Sequence, residues 1–221
     1  MTRNGYFGAL ATKLRRPPPP VAAGVETEGP SEDTFRATHV LSDFVTEVRT
    51  HEAPVVIDLG PAVGTNVAFL GQEFACKLFI EDLLAKRASG SNGGGQALRL
   101  EQPDASVDGI LCWDVLDHFS PSARPALAAE LIRVLRPAGV MLLYHRLAVA
   151  PHPDRVVYEI INARRLCLHR TGVPSVRVER PLKHRELQVM FGELTAIRTV
   201  LLQNRVREVL FWKSPQTSVV D

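Results

Sequence analysis

Apolar and polar positions along the chain follow two different periods. Within TFRATHVLSDFVTEVRTHE, apolar residues recur at Val40, Phe44 and Val48, a four-residue spacing that predicts a helix. PVVIDLG is then a continuous apolar run ended by Gly60 and Pro61, as expected of a central parallel strand covered on both faces. NVAFLGQEFA predicts a helix in spite of Gly71, and CKLFIEDLL a second strand that closes on Glu81 and Asp82. AKRASGSNGGGQ, polar and with glycines at 93 to 95, predicts a flexible loop. VDGILCWDV reads as a strand, RPALAAELIRVLR as a helix stopped by Pro137 to Gly139, and VMLLYH as another strand. This alternation implies right-handed crossovers and a parallel sheet. The pattern then changes: DRVVYEIINARRLCLH predicts a helix, PSVRVERP an extended piece, HRELQVMFGEL a helix, and TAIRTVLL with REVLFWK an antiparallel hairpin.

Composition narrows the class. The 221 residues, 45% of them hydrophobic, suit one α/β domain with additions. Residues 1 to 33, with prolines at 17 to 20, read as a disordered tail and linker, and 34 to 221 as the domain. The acid-poor leader before Glu26 faintly resembles an organelle transit peptide, but the proline run favours the tail reading. A net charge of +2 gives no whole-molecule drive toward nucleic acid or membrane. No apolar run approaches the roughly 20 residues of a membrane span. Cys76, Cys112 and Cys167 are scattered without a CxxC pair, which argues against a disulfide framework and a thiolate zinc site. A soluble, cytoplasmic protein without a metal is the expectation.

The turn VVIDLGPAVGTN decides the candidate chemistry. A phosphate-cradling loop needs Gly-Lys-Ser/Thr, and Thr65-Asn66 follow Gly64 instead. A dinucleotide fingerprint would set Gly60, Ala62 and Thr65 at its three small positions, a poor fit. Spacing by twos gives Asp58, Gly60, Ala62 and Gly64, which resembles the Asp-x-Gly-x-Gly-x-Gly turn of class I S-adenosylmethionine-dependent methyltransferases with the middle glycine replaced. A left-handed φ at Ala62 would cost on the order of 1 kcal/mol.

Residues 100 to 145, LEQPDASVDGILCWDVLDHFSPSARPALAAELIRVLRPAGVMLLYH, resemble the corresponding run of the type 11, small-molecule-type methyltransferases. The register holds at Pro103-Asp104, Ser106, Asp108, Val115-Leu116, His118, Glu130, Arg133 to Pro137 and Gly139. The resemblance implies a Rossmann-like α/β fold: a mostly parallel central sheet, helices on both faces and a C-terminal antiparallel hairpin. It implies S-adenosylmethionine as cofactor, held by Asp58, Gly60, Ala62 and Gly64, by Glu81 or Asp82 at the ribose, by Gln96 at the adenine and by Trp113 at the end of its strand. Gln96 stands where the family has an aspartate, and the stretch from Asp82 to Gln96 is too short for the usual helix plus third strand. Each assignment has a structural alternative: a loop-organising Asp58, an acid that starts the next helix, a packing Trp113, a capping Asp114, a hydrogen-bonding His118.

Asp114 and His145 end strands on the ligand edge and are the candidate catalytic groups, His145 as the base. A base is needed only when the accepting atom holds a proton. The segment from about 151 to 181 occupies the place of a substrate lid and is expected to be helical. It carries Arg155, Arg164, Arg165, Arg170, Arg177 and Arg180, with Lys183 and Arg185 beyond, which suits an acidic small-molecule acceptor or an RNA backbone. CWDV replaces the Asn/Asp-Pro-Pro-aromatic run of amino-methylating DNA enzymes, and aromatic residues are only 6%, so base-stacking surface is sparse. The expected function is methyl transfer from S-adenosylmethionine to a small-molecule acceptor by in-line displacement on the cofactor methyl; the alternatives are a non-catalytic domain that keeps the fold as an interaction module, and an RNA methyltransferase using the basic 155 to 185 segment, which is not favoured. The oligomeric state is open.

Overall fold

The computed structural model describes residues 34–88, 99–148, 154–174 and 181–215; the expected tail and Gln96 lie outside these. The elements in chain order are β1 (Thr34–Ala37), α1 (Leu41–Val48), β2 (Val55–Asp58), α2 (Gly64–Glu73), β3 (Lys77–Ile80), α3 (Leu83–Ala88) and β4 (Val107–Trp113). A 3-10 turn (Val115–His118) leads to α4 (Arg124–Val134) and β5 (Leu135–Arg146). Then come β6 (Asp154–Asn162), β7 (Arg165–Pro174), α5 (His184–Met190), β8 (Leu194–Leu201) and β9 (Val206–Lys213).

Six strands form one sheet in the order β3-β2-β4-β5-β9-β8. The first four run parallel, and β9 and β8 add the antiparallel hairpin expected from the sequence. Two-residue periodicity sends alternate side chains to opposite faces. Ile57, Ile110, Cys112, Met141 and Leu143 pack with Leu127 and Leu131 of α4 and Leu187 of α5. Val56, Leu111, Leu142 and Tyr144 pack on the other face with Phe44 and Val48 of α1 and Leu70 of α2. Each such fully buried side chain contributes roughly 1.5–3 kcal/mol of transfer free energy, so the unbroken apolar runs of β2, β4 and β5 follow from two covered faces. Gly109 shows how tightly α1 sits on β4: an added Cβ would lie 2.8 Å from Val48 and 2.9 Å from Phe44.

The helix expected over 154 to 169 is instead a hairpin, β6 and β7, and the expected α1 region begins with a strand. Together they form a second sheet in the order β1-β7-β6, antiparallel throughout. The lid region is therefore β-structured over its described residues, not helical. Val156, Tyr158, Ile160, Leu166 and Leu168 face the second core, which is alternation at period two. Outward-facing Val157 and Ile161 disguise that alternation as a continuous apolar run. The turn at Ala163-Arg164 has no glycine; Asn162 Oδ1 accepts from Arg164 N–H at 2.9 Å and supplies the turn chemistry. Glu208, fully buried, ties β1 to the larger sheet by accepting from His39 N–H at 2.8 Å and pairing with Arg36 at 3.4 Å. No helix among the described residues is long and apolar enough to cross a membrane.

Candidate functional site

β2 is followed by β3 on one side and flanked by β4 on the other, so strand order reverses between β2 and β4. Open parallel sheets bind ligands in the crevice at the carboxyl ends of such strands. Asp58 ends β2 there, and Trp113 ends β4. Asp58 Oδ1 accepts from Gly60 N–H at 2.9 Å and from Trp113 Nε1–H at 2.7 Å. Burial raises the Asp58 carboxyl to about 6, against the lowering effect of these hydrogen bonds. Gly60 is required by the contact: a Cβ would come within 3.1 Å of both Asp58 Oδ1 and Trp113 Cδ1. Ala62 is not among the left-handed residues, so it carries none of the strain considered above, and an added Cβ at Gly64 would meet nothing within 4 Å.

Trp113 has φ +47°, an unusual conformation for a bulky residue, at an irregularity where β4 loses register with β5. Its ring stacks on Tyr158 of β6, centroids 5.1 Å apart and planes 5° from parallel, and meets Tyr144 edge-on at 5.6 Å. Strand β6 is the edge of the second sheet, and Asn66 of α2 completes that edge. Asn66 Nδ2–H donates to Tyr158 carbonyl at 2.8 Å, and Asn66 Oδ1 accepts from Ile160 N–H at 2.6 Å. One amide thereby acts as a strand partner and pins β6 beside the turn.

The two acids after β3 diverge. Glu81 is buried, accepts from Gln102 Nε2–H at 2.8 Å and pairs with Lys86. Asp82 is more open, accepts from Ala85 N–H at 3.1 Å and pairs with Arg155 of β6.

Beyond Trp113 lies a buried polar group. Asp114 Oδ2 accepts from Arg146 Nη2–H at 3.0 Å and is 3.5 Å from His118 Nε2. Burial pushes the Asp114 carboxyl up, but His118 and Arg146 outweigh it and hold it below its ordinary value. Asp117 Oδ2 accepts from Arg146 N–H at 2.7 Å, and its Oδ1 is buried without a hydrogen bond. Burial and the charge of Asp114 raise the Asp117 carboxyl to about 7. Such a carboxyl exchanges protons near neutral pH.

His145 does not join this group. It is fully buried with both ring nitrogens unbonded, and desolvation with the charge of Arg207 lowers it to about 4. Tyr144 and Arg146 share the face of Trp113, so strand parity turns His145 to the opposite face, toward Arg124 and His184. That same parity, applied to VMLLYHR, singles out Arg146. Tyr158, Asn66 and Arg155 carried no local signal, because their roles depend on the β pairing of the insertion. On the His145 side, a cavity of about 440 Å³ opens between α4 and α5, with Arg124, Lys183 and Arg185 in its lining.

Comparison with known proteins finds one family model over part of the chain and several solved structures. Residues 57–143 match the family model described as a methyltransferase domain. No curated protein sequence matches the chain. A Pyrococcus horikoshii protein is 18% identical, with 79% of this chain and 88% of that one covered and a TM-score of 0.48. An S-adenosylmethionine-dependent methyltransferase of Mesorhizobium loti is 15% identical over 79% and 96% of the two chains, TM-score 0.48. The 1,6-didemethyltoxoflavin-N1-methyltransferase of Burkholderia thailandensis, with S-adenosylhomocysteine bound, is 17% identical over 79% and 78%, TM-score 0.45.

Proposed function

We propose that this chain, whose residues 57–143 match the methyltransferase-domain family model, transfers a methyl group from S-adenosylmethionine to a small-molecule acceptor. The observation that carries the reading is the crevice where strand order reverses: the Asp58 to Gly64 turn ends β2, and Asp82 follows the neighbouring β3. The residues fit the cofactor's chemistry. Asp82 offers a carboxylate accessible enough to accept from ribose hydroxyls, whereas Glu81 is committed to Gln102 and Lys86. The open space beyond Gly64 leaves the turn approachable by a ligand. Asp58 orders the turn through Gly60 and anchors Trp113, with Ala62 filling the altered glycine position without strain.

When bound, the cofactor supplies a methyl group already activated on a positively charged sulfur. The chain's part is then alignment and exclusion of water, which can supply much of the rate enhancement. Tyr158, stacked on Trp113, and Arg155, paired with Asp82, make β6 a cover over this crevice. We assign β6 and β7 as the lid, which withdraws to admit cofactor and returns to exclude water. Asp114 is held ionised by Arg146 and His118, and Asp117 holds or releases a proton near neutral pH; either serves an acceptor that must lose a proton. Arg124, Lys183 and Arg185 around the second cavity, together with the arginines of the lid, suit an acceptor bearing a carboxylate or phosphate.

The test is production of S-adenosylhomocysteine by the full chain against a panel of small carboxylates and phosphates. Turnover with an acidic member, lost in Asp82→Ala, supports the reading. Turnover only with RNA transfers the assignment to nucleic acid, and cofactor binding without turnover on any acceptor points to an interaction module.

A further inference from the structure

The lid sheet carries a second set of chemical groups, on the face turned away from Trp113. Glu159 of β6 is the cross-strand partner of Cys167 of β7, and His169 lies two residues along β7. Residues two apart on a strand, and direct partners across it, project to one face, so the three side chains converge there. A carboxylate oxygen of Glu159, Sγ of Cys167 and a ring nitrogen of His169 all lie within 4.8 Å of one another. Glu159 Oε2 and His169 Nε2 are 2.6 Å apart.

Cys167 is 3% exposed, flanked on its other side by its β1 partner Phe35. The Glu159 and His169 side chains are 22% and 34% exposed. The arrangement is a triangle with its sulfur buried and its oxygen and nitrogen partly open to solvent.

Sulfur, imidazole nitrogen and carboxylate oxygen together form a donor set for zinc, at about 2.3, 2.0 and 2.0–2.2 Å from the ion. Tetrahedral edges at those distances are about 3.3–3.6 Å, so an ion entering the triangle parts Glu159 Oε2 from His169 Nε2 and takes the place of their hydrogen bond. We propose that Glu159, Cys167 and His169 form a zinc(II) site with three protein ligands and a fourth position for water or an exogenous donor. As the zinc–sulfur bond forms, the thiol proton passes to solvent. No CxxC spacing announces such a site, because two ligands lie on one strand and the third on its partner. Binding ties β6 to β7, and so stiffens the sheet whose inner face carries Tyr158.

The experiment is titration of the metal-free full chain with cobalt(II), a spectroscopic substitute for zinc, followed by displacement with zinc(II). Expected are one equivalent bound, a thiolate-to-cobalt charge-transfer band, and loss of that band with zinc. Cys167→Ser should abolish the band and His169→Gln should weaken binding by at least about 100-fold, the upper end of what loss of an outer partner costs. Cys76→Ser should leave both unchanged. Amide exchange of each variant verifies that the sheet still forms. No cobalt bound at millimolar concentration, binding without a thiolate band, or an unaltered band in Cys167→Ser overturns the site.

Discussion

In the six-stranded sheet, β2, β4 and β5 bury side chains on both faces, whereas the three-stranded sheet covers only one. Tyr158, Ile160 and Leu166 of the smaller sheet reach the core, while Phe35 and Ile161 remain exposed. The larger sheet is thus a fixed platform that carries Asp58, Trp113 and Asp114 on its strand ends. The smaller one is tied to it through Asn66 on β6, Arg155 on Asp82, the Trp113–Tyr158 stack, Thr38 on Tyr144 and Glu208 on the β1 side. An element with one face exposed opens at lower free-energy cost than one covered on both faces. On the proposed function, binding groups belong to the larger sheet and closure to the smaller.

Gly109→Val is the strongest way to break the platform. Its new side chain meets Phe44 and Val48, and overpacking is expected to cost about 3 kcal/mol or more, read by denaturant unfolding. A second effect comes from pH. The folded protein holds the Asp58 proton to about 6 against an ordinary 3.8, so it binds more protons than the unfolded chain between these values and loses stability as pH rises through them. Asp58→Asn keeps the acceptor for Gly60 and Trp113. It is expected to match the parent below pH about 4 and to exceed it by up to about 3 kcal/mol above pH about 7. Thermal unfolding across that range measures the difference.

Asn66→Ala strikes the tie between platform and lid. It is expected to cost about 1–2 kcal/mol and to accelerate exchange of the Ile160 amide while leaving the β4 amides protected. The smallest effect belongs to the lid itself. Gly172 has φ +64° and nothing within 4 Å of an added Cβ, so Gly172→Ala is expected to cost only about 1 kcal/mol, again by denaturant unfolding.

The same contrast governs how much was legible in the sequence. Strands buried on both faces read as unbroken apolar runs, so β2, β4 and β5 and the turn between Asp58 and Gly64 were found directly. The insertion was misread because Val157 and Ile161 interrupt the alternation of Val156, Tyr158 and Ile160, and because Asn162 makes the turn without glycine. Everything contributed by that hairpin to the site was lost with it, including Arg155 on Asp82 and Tyr158 on Trp113. His145 was selected for its place at a strand end; one residue of parity separates it from Arg146, which reaches Asp114.

The central claim is that S-adenosylmethionine binds where β2, β3 and β4 end, beneath β6. Calorimetric titration of the full chain with the cofactor, beside Asp82→Ala, tests it most directly. The account predicts saturable binding of one equivalent, weakened about 10- to 100-fold in the variant by loss of a charged acceptor. Absence of binding up to millimolar cofactor, or equal affinity in the two proteins, would contradict it.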